Sequence, residues 1–243
     1  MIRRPTYIRF EILRTLRNWR FMIFSLAFPL VLFITVAASN RNAQLGGISL
    51  PLYYMTGMAA WGTMSAVIAG GSRIGAERSV GWTRQMRTTP LSSGVYFATK
   101  VLCGYLLALL SIACLYIAGI SLGVRLSGEE WLTMTALILI GLIPFAVLGI
   151  LLGHVLTVDS MGPAMGGITA LLALFGGAWG PFATSGALHT FVQLLPSYWL
   201  VQAGATALGG GGWPLKAWIV MIVWTAVLVW VSTRVYQRDT ARV

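Results

Sequence analysis

The side chains most typical of metal sites in this sequence are two histidines, His154 and His189, and two cysteines. Asp159 is the one carboxylate near His154, and none stands near His189. Cys103 and Cys114 share an apolar stretch, where a helix would separate them by about 16 Å, too far for a disulfide. Because a metal centre needs three or four ligands together, the sequence predicts no metal site. His154 with Asp159 is the one pairing that resembles an enzyme's active site.

A glycine run followed by a lysine is the segment closest to a phosphate-binding loop. Gly209–Gly212 precedes Lys216 by a few residues. A phosphate-binding loop places the lysine directly after a glycine and a serine or threonine directly after the lysine. Here Leu215 precedes Lys216 and Ala217 follows it. We therefore expect no ATP site, and no other cofactor, in this chain.

The composition excludes an ordinary soluble protein. Hydrophobic residues make up 57% of the 243 residues, charged residues make up 9%, and the mean hydropathy is +0.80. The net charge of +11 comes from basic residues that flank apolar runs, whereas a nucleic-acid-binding face would gather them on one surface. We expect no nucleic-acid partner. A bilayer span needs about 20 apolar residues, so the chain has room for about six spans.

The sequence predicts an all-α polytopic membrane protein that forms a single transmembrane domain, 1–243. An amphipathic interfacial helix is predicted over 1–20, with Ile8, Ile12, Leu16 and Trp19 on its apolar face. A cytoplasmic loop is predicted over 73–100. A short extracellular re-entrant hairpin is predicted over 183–212, before the last span. The six predicted transmembrane helices are Phe21–Ser39, Tyr53–Gly71, Val101–Leu122, Trp131–Leu156, Met161–Trp179 and Ala217–Thr233.

The distribution of basic residues predicts the orientation of the chain. Fourteen Lys and Arg residues fall on one side of the predicted spans, and Arg41, Arg125 and Lys216 fall on the other. The positive-inside rule then places both termini in the cytoplasm. The expected location is the cell's inner (plasma) membrane. All six acidic residues fall in predicted loops or helix ends, whereas a proton-coupled antiporter needs an ionisable group inside the bundle.

The loop 73–100 carries the motif that points to a family. It reads Glu77-Arg78, then Gly81, then a stretch whose apolar members are Trp82 and Met86, then Pro90-Leu91. We expect Glu77 and Arg78 to begin a short helix, where a glutamate suits the positive end of the helix dipole. This pattern resembles the cytoplasmic loop of the ABC-2 type permeases.

A second match lies near the carboxyl end. Gly176–Pro181 followed by Leu194–Trp199 is similar to the glycine and proline segment before the last span of that family. Leu195 stands where many members have asparagine. The resemblance implies the fold of the ABCG-like exporters. In its length and its lack of a large external domain, the chain is most similar to permeases of the daunorubicin-resistance type.

The resemblance also implies the partners. Two permease halves, identical or paralogous, would pair in a lipid membrane, and the loop helix of each would be a coupling helix that docks on a cytoplasmic ABC ATPase subunit, two per complex. ATP and Mg would be bound by that partner. Arg84 and Arg87 could instead contact anionic lipid. The residues implied in coupling are Glu77, Arg78, Gly81, Trp82, Met86, Arg87 and Pro90.

By the same analogy, the second and fifth spans would line the substrate path. The residues implied there are Tyr54, Met58, Trp61, Phe175 and Trp179. The expected function is ATP-driven export of a hydrophobic or amphiphilic drug, antibiotic or lipid, with multidrug resistance as one setting. Two alternatives stay open from the sequence: a membrane-embedded enzyme of lipid metabolism, and a membrane scaffold that does not transport.

Overall fold

The computed structural model describes residues 4–45, 47–82, 85, 88, 91–208 and 211–241. Two strands, β1 (Gln44–Leu45) and β2 (Ile48–Ser49), form an antiparallel hairpin in which Gln44 pairs with Ser49. The rest of the regular structure is helical. The helices are α1 (Arg4–Arg17), α2 (Trp19–Ser39), α3 (Leu50–Ser79), α4 (Ser93–Ser121), α5 (Gly128–Gly141), α6 (Ile143–Val155), α7 (Val158–Gly176), α8 (Gly186–Val192), α9 (Pro196–Val201), α10 (Ala203–Leu208) and α11 (Leu215–Ala241).

Four helical segments of the described chain are long and apolar enough to cross a membrane. They are Ser93–Ser121, Gly128–Val155, Val158–Gly176 and Leu215–Arg238. Leu26–Ser39, inside α2, is a shorter apolar helix. The all-α membrane fold is therefore confirmed, with four candidate spans where the sequence predicts six. The predicted first and second spans correspond to α2 and α3.

Helix α3 is the centre of the fold. It packs against α2, α4, α6 and α7. Most of its residues are buried, including many glycines, alanines and threonines. These small side chains bring backbones close together: a Cβ on Gly71 would lie 2.5 Å from the carbonyl carbon of Gly149. Small residues at such crossings are the usual way that membrane helices pack.

The helix boundaries follow local capping signals. Ser127 and Glu130 form a capping box at the start of α5, and Thr157 with Ser160 forms one at the start of α7. Gly177 ends α7 in the left-handed conformation, with φ of 80°. The predicted fourth span is interrupted at Leu142, where Pro144 takes a first-turn position of α6.

The loop prediction requires a correction. Helix α3 continues to Ser79 and α4 begins at Ser93, so 73–79 and 93–100 are helical. Glu77 and Arg78 therefore end a long helix and do not begin a short one. The sequence-based boundary stopped at the first charge, but these charges have partners inside the protein, so the helix continues through them.

Helix α1 turns a polar face to the protein. Tyr7, Glu11 and Thr15, spaced one turn apart, are buried, and α1 packs against α4. Its exposed apolar side chains are Phe10, Leu13 and Leu16. The predicted apolar residues Ile8 and Ile12 are half-buried at the margin. An exposed apolar face on this helix suits contact with lipid.

The segment 183–212 folds as the three short helices α8, α9 and α10. Pro196 begins α9, which packs against α7 and α3. Helix α10 packs against α5, and Gly204 lies directly against the side chain of Thr56. The segment is thus held on the ends of the long helices; its depth in a membrane stays a prediction.

Candidate functional site

A buried ion-pair cluster lies where α3 leads into residues 80–92. Lys100, on the first turns of α4, is 1% exposed. Its Nζ lies 2.7 Å from Glu11 Oε1 on α1 and 2.5 Å from Glu77 Oε1 on α3. The two carboxylates are 2% and 3% exposed. One ammonium therefore joins three helices that are far apart in the sequence.

Glu77 uses both of its carboxylate oxygens. Arg14 Nη1 donates to Oε1 at 3.0 Å, and the Tyr96 hydroxyl donates to Oε2 at 2.5 Å. Arg14 also lies 3.7 Å from Glu11. Full satisfaction of this kind is what a buried charge requires, because an unpaired one is very costly to remove from water.

A second set of contacts extends the cluster along α1. Arg73 on α3 donates to Thr15 Oγ1 at 2.7 Å. Tyr7 is buried beside the carboxylates, and its hydroxyl has no hydrogen-bond partner among the described residues. Burial raises the pKa of the Tyr7 phenol well above its ordinary value, and the negative charges of Glu11 and Glu77 raise it further. Tyr7 is therefore neutral at physiological pH.

Arg78 connects the same region to α6. Its Nη1 donates to the carbonyl oxygens of His154 and of Gly153, the latter at 3.4 Å. These carbonyls belong to the last turn of α6, where a cation complements the negative end of the helix. The end of α3 is thus fixed to α1, α4 and α6.

His154 lies among aromatic side chains and beside a backbone carbonyl. Its Nδ1 lies 2.9 Å from the Ile150 carbonyl oxygen, and its ring packs against Phe97 and Tyr236. Within the part of the chain that the structure describes, no group of three or more His, Cys, Asp or Glu side chains could hold a metal. His154 is therefore surrounded by packing contacts.

The loop beyond α3 begins with a turn. Gly81 has φ of 72°, a conformation that glycine adopts without strain. Trp82 is half-buried, and its indole N–H has no acceptor among the described residues. Val80 beside it is 78% exposed. Met86, Arg87 and Pro90, also predicted to contact a partner, lie outside the described residues.

The residues predicted to line a path form two groups. Trp61 packs edge-on against Trp179 at 5.3 Å, and the Tyr54 hydroxyl donates to the Trp179 carbonyl at 3.1 Å. Met58, on the same helix, is buried in the core. Phe175 lies elsewhere, against Phe182.

Phe175, which forms the second group, borders a cavity of about 200 Å³. Its lining includes Phe175, Phe182, His189 and Tyr198. The structure thus brings Tyr54, Trp61 and Trp179 together and gives Phe175 separate aromatic neighbours. Both groups lie toward the end of the molecule opposite the buried ion pairs, since Tyr54 is near the start of α3 and Glu77 is near its end.

Sequence reasoning singled out Glu77 and Arg78 but missed Lys100, Glu11 and Tyr96 as their neighbours. One signal was present: Tyr96 and Lys100 are four residues apart and share a helix face. Nothing in the sequence pairs that face with Glu11, which is 89 positions away from Lys100.

The family model for "ABC-2 family transporter protein" matches residues 34–234, which is most of the chain. The chain belongs to the ABC-2 transporter family. A "Putative transport permease YvfS" of Bacillus subtilis (strain 168) is 30% identical to this ABC-2 permease over 238 residues, covering 95% of this chain and 96% of the relative. No solved structure matches this chain. Membership makes the chain a permease of an ABC transporter, and the family in general works with an ABC ATPase.

Proposed function

We propose that this permease is the membrane subunit of an ATP-driven exporter for hydrophobic or amphiphilic molecules. Two copies of a separate ABC ATPase subunit bind the ATP and Mg, and a second permease copy or a paralogue completes the complex. Helices α2 and α3 also cross the membrane, which gives six spans. The protein lies in the plasma membrane, and both ends of the chain face the cytoplasm. The permease itself needs no cofactor.

The observation that carries this proposal is the buried ion-pair cluster beside residues 80–92. A partner that pushes on this loop pushes directly on the end of α3. Because Lys100 and Arg78 tie that end to α1, α4 and α6, the displacement passes to several helices together. Rigid displacement of packed elements is a common way in which a local event changes a whole transport path.

The far end of α3 supports the second half of the mechanism. Tyr53 and Tyr54 donate to the carbonyl oxygens of Gly177 and Trp179, so α3 is also fixed to the segment after α7. A shift of α3 along its axis therefore moves the aromatic residues around Trp61 and Trp179. An apolar, aromatic surface of this kind favours apolar or amphiphilic cargo.

The test uses Trp82→Ala in the permease produced together with its cognate ABC ATPase. A docked ATPase would cover Trp82, and buried tryptophans at interfaces contribute about 2 kcal/mol or more. We expect roughly thirtyfold weaker ATPase binding, less ATP hydrolysis stimulated by the permease and less transport in proteoliposomes, with normal membrane insertion.

Trp230→Ala is the matched control, because Trp230 is an exposed tryptophan on α11 and lies outside residues 80–92. It should keep wild-type ATPase binding. Wild-type binding and hydrolysis in Trp82→Ala would refute coupling through this loop. ATP hydrolysis by the purified permease alone would refute the division of labour between two chains.

A further inference from the structure

A polar cavity of about 340 Å³ lies at the end of the molecule opposite the ion-pair cluster. It is formed where the turn after α2 and the β1–β2 hairpin meet the turn after α4. Its walls include Arg41, Asn42, Ser49, Ile120 and Arg125. Helices α2 and α4 pack against each other below it.

The cavity gathers basic residues where the chain has few of them. The sequence assigns three basic residues to the external side, and two of them, Arg41 and Arg125, line this one cavity. Among the described residues, no acidic one lines it. Glu129 and Glu130, the carboxylates nearest in sequence to Arg125, lie in the first turn of α5, where Glu130 accepts from the Ser127 backbone N–H.

The two guanidinium groups keep donors available for a ligand. Arg125 Nη1 donates to the Ile120 carbonyl oxygen at 3.3 Å, which uses one of its five N–H groups. No ion pair joins Arg41 or Arg125 to a carboxylate within the described parts of the chain. Guanidinium groups pair with phosphate oxygens through two parallel hydrogen bonds, so two arginines at one cavity suit a phosphate.

The surface beneath the cavity is apolar and exposed. On α4, Ile120 forms part of the wall and Ile117, one turn below, is 70% exposed. On α2, Ile34 and Val31 are exposed on the turns below Arg41. A soluble anion would not cover these exposed apolar side chains, whereas the acyl chains of a lipid would.

We propose that this cavity binds the phosphate head group of an anionic phospholipid of the outer leaflet, with its acyl chains along α2 and α4. The leaflet assignment rests on the orientation in the proposed function; the binding itself does not. The lipid would hold the β1–β2 hairpin to the turn after α4 on the outer side.

The test measures binding of dioleoyl phosphatidylglycerol to the detergent-purified permease by native mass spectrometry, beside dioleoyl phosphatidylcholine. We expect one tightly retained phosphatidylglycerol per chain and preference over phosphatidylcholine. Arg41→Gln and Arg125→Gln should each weaken it about fivefold, the size of one basic residue's attraction to an anionic head group. Lys216→Gln, which removes the third external basic residue, should leave it unchanged.

Three results would overturn the proposal: equal retention of both lipids, an equal loss in Lys216→Gln, or displacement of phosphatidylglycerol by inorganic phosphate. The last would assign the site to a soluble anion. If the variants fail to fold, the thermal stabilisation of the wild-type permease by each lipid decides the question, and equal stabilisation refutes it. The assay contains no ATPase and no transport step, so its failure leaves the exporter proposal standing.

Discussion

Lys100 is the residue on which the buried cluster depends, because its ammonium contacts both carboxylates. Glu11 and Glu77 are almost completely shielded from water. Arg14 reaches both of them, but its side chain is 49% exposed. Removing a fully buried charge from such a group leaves its partners buried and unpaired, which costs more than the pair contributed.

We therefore expect Lys100→Met to destabilise the permease by about 3–5 kcal/mol, the usual cost of breaking a buried ion pair. Methionine keeps most of the length of the side chain and removes the charge. The measurement is the thermal unfolding of the detergent-solubilised protein, read by fluorescence-detected size exclusion. Lys216→Met is the matched control: Lys216 is exposed and bonds to Gln193, so its loss should be nearly neutral.

A second substitution separates charge from packing in that result. Adding Glu11→Gln to Lys100→Met removes one of the two carboxylates that have lost the ammonium of Lys100, and it leaves Glu77 with Arg14 and Tyr96. The double variant should recover part of the lost stability. A double variant no more stable than Lys100→Met would mean that the poor fit of methionine, and not unpaired charge, causes the defect.

The sequence could identify half of this cluster. Glu77 and Arg78 stood out because they belong to the motif that resembles the family's cytoplasmic loop. Lys100 and Glu11 did not, because their pairing exists only after α1 folds onto α4. Rules that place charges at helix ends assume that each charge needs water, and they fail where charges neutralise one another inside the protein.

At the scale of the elements, the crossing of α3 and α6 brings two helix backbones into close contact. A Cβ on Gly149 would lie 2.5 Å from the Ile68 carbonyl oxygen, and one on Gly153 would lie 2.8 Å from that of Gly71. Backbone atoms cannot move aside as flexible side chains do. The two helices can therefore approach this closely because Gly149 and Gly153 carry no side chain at the crossing.

We expect Gly149→Ala to destabilise the permease by about 1–3 kcal/mol, since an added methyl group must push two packed helices apart. Gly166→Ala on α7 is the matched control, because a Cβ there meets no atom within 4 Å. Alanine in an open helical position should be neutral or stabilising by up to about 1 kcal/mol. Equal thermal stability of the two variants would contradict the close crossing.

The helices were largely predictable from the sequence, and their faces were not. Apolar runs of sufficient length located α4, α7 and α11, because burial in lipid requires that length. The polar ends were missed: α4 begins at Ser93, before its predicted span, and α11 continues to Ala241, beyond its own. The sequence predicted an apolar side of α1 for the membrane surface, but nothing in it indicated that Tyr7, Glu11 and Thr15 face the protein. In a membrane, lipid takes the apolar face and the protein can take the polar one.

At the scale of the whole molecule, α3 connects two differently built ends. One end carries the ion pairs among Glu11, Glu77 and Lys100; the other carries the hydrogen bonds of Tyr53 and Tyr54 to the segment after α7. Four segments qualify as spans by length and composition. The proposed orientation therefore depends on α2 and α3 also crossing, which places the ion pairs on the cytoplasmic side and the β1–β2 hairpin outside.

Single cysteines at three glycines test that orientation. Gly94, Gly128 and Gly211 are exposed, and a Cβ at each would meet no atom within 4 Å, so substitution should leave the fold intact. We expect a membrane-impermeant thiol reagent to label Gly128→Cys and Gly211→Cys in whole cells, and to label Gly94→Cys only after the membrane is opened. The basic residues near Gly94 hold that side in the cytoplasm. The unmodified chain is the control, because Cys103 is buried and Cys114 lies within α4. Labelling of Gly94→Cys in intact cells would reverse the orientation and remove residues 80–92 from the reach of a cytoplasmic ATPase.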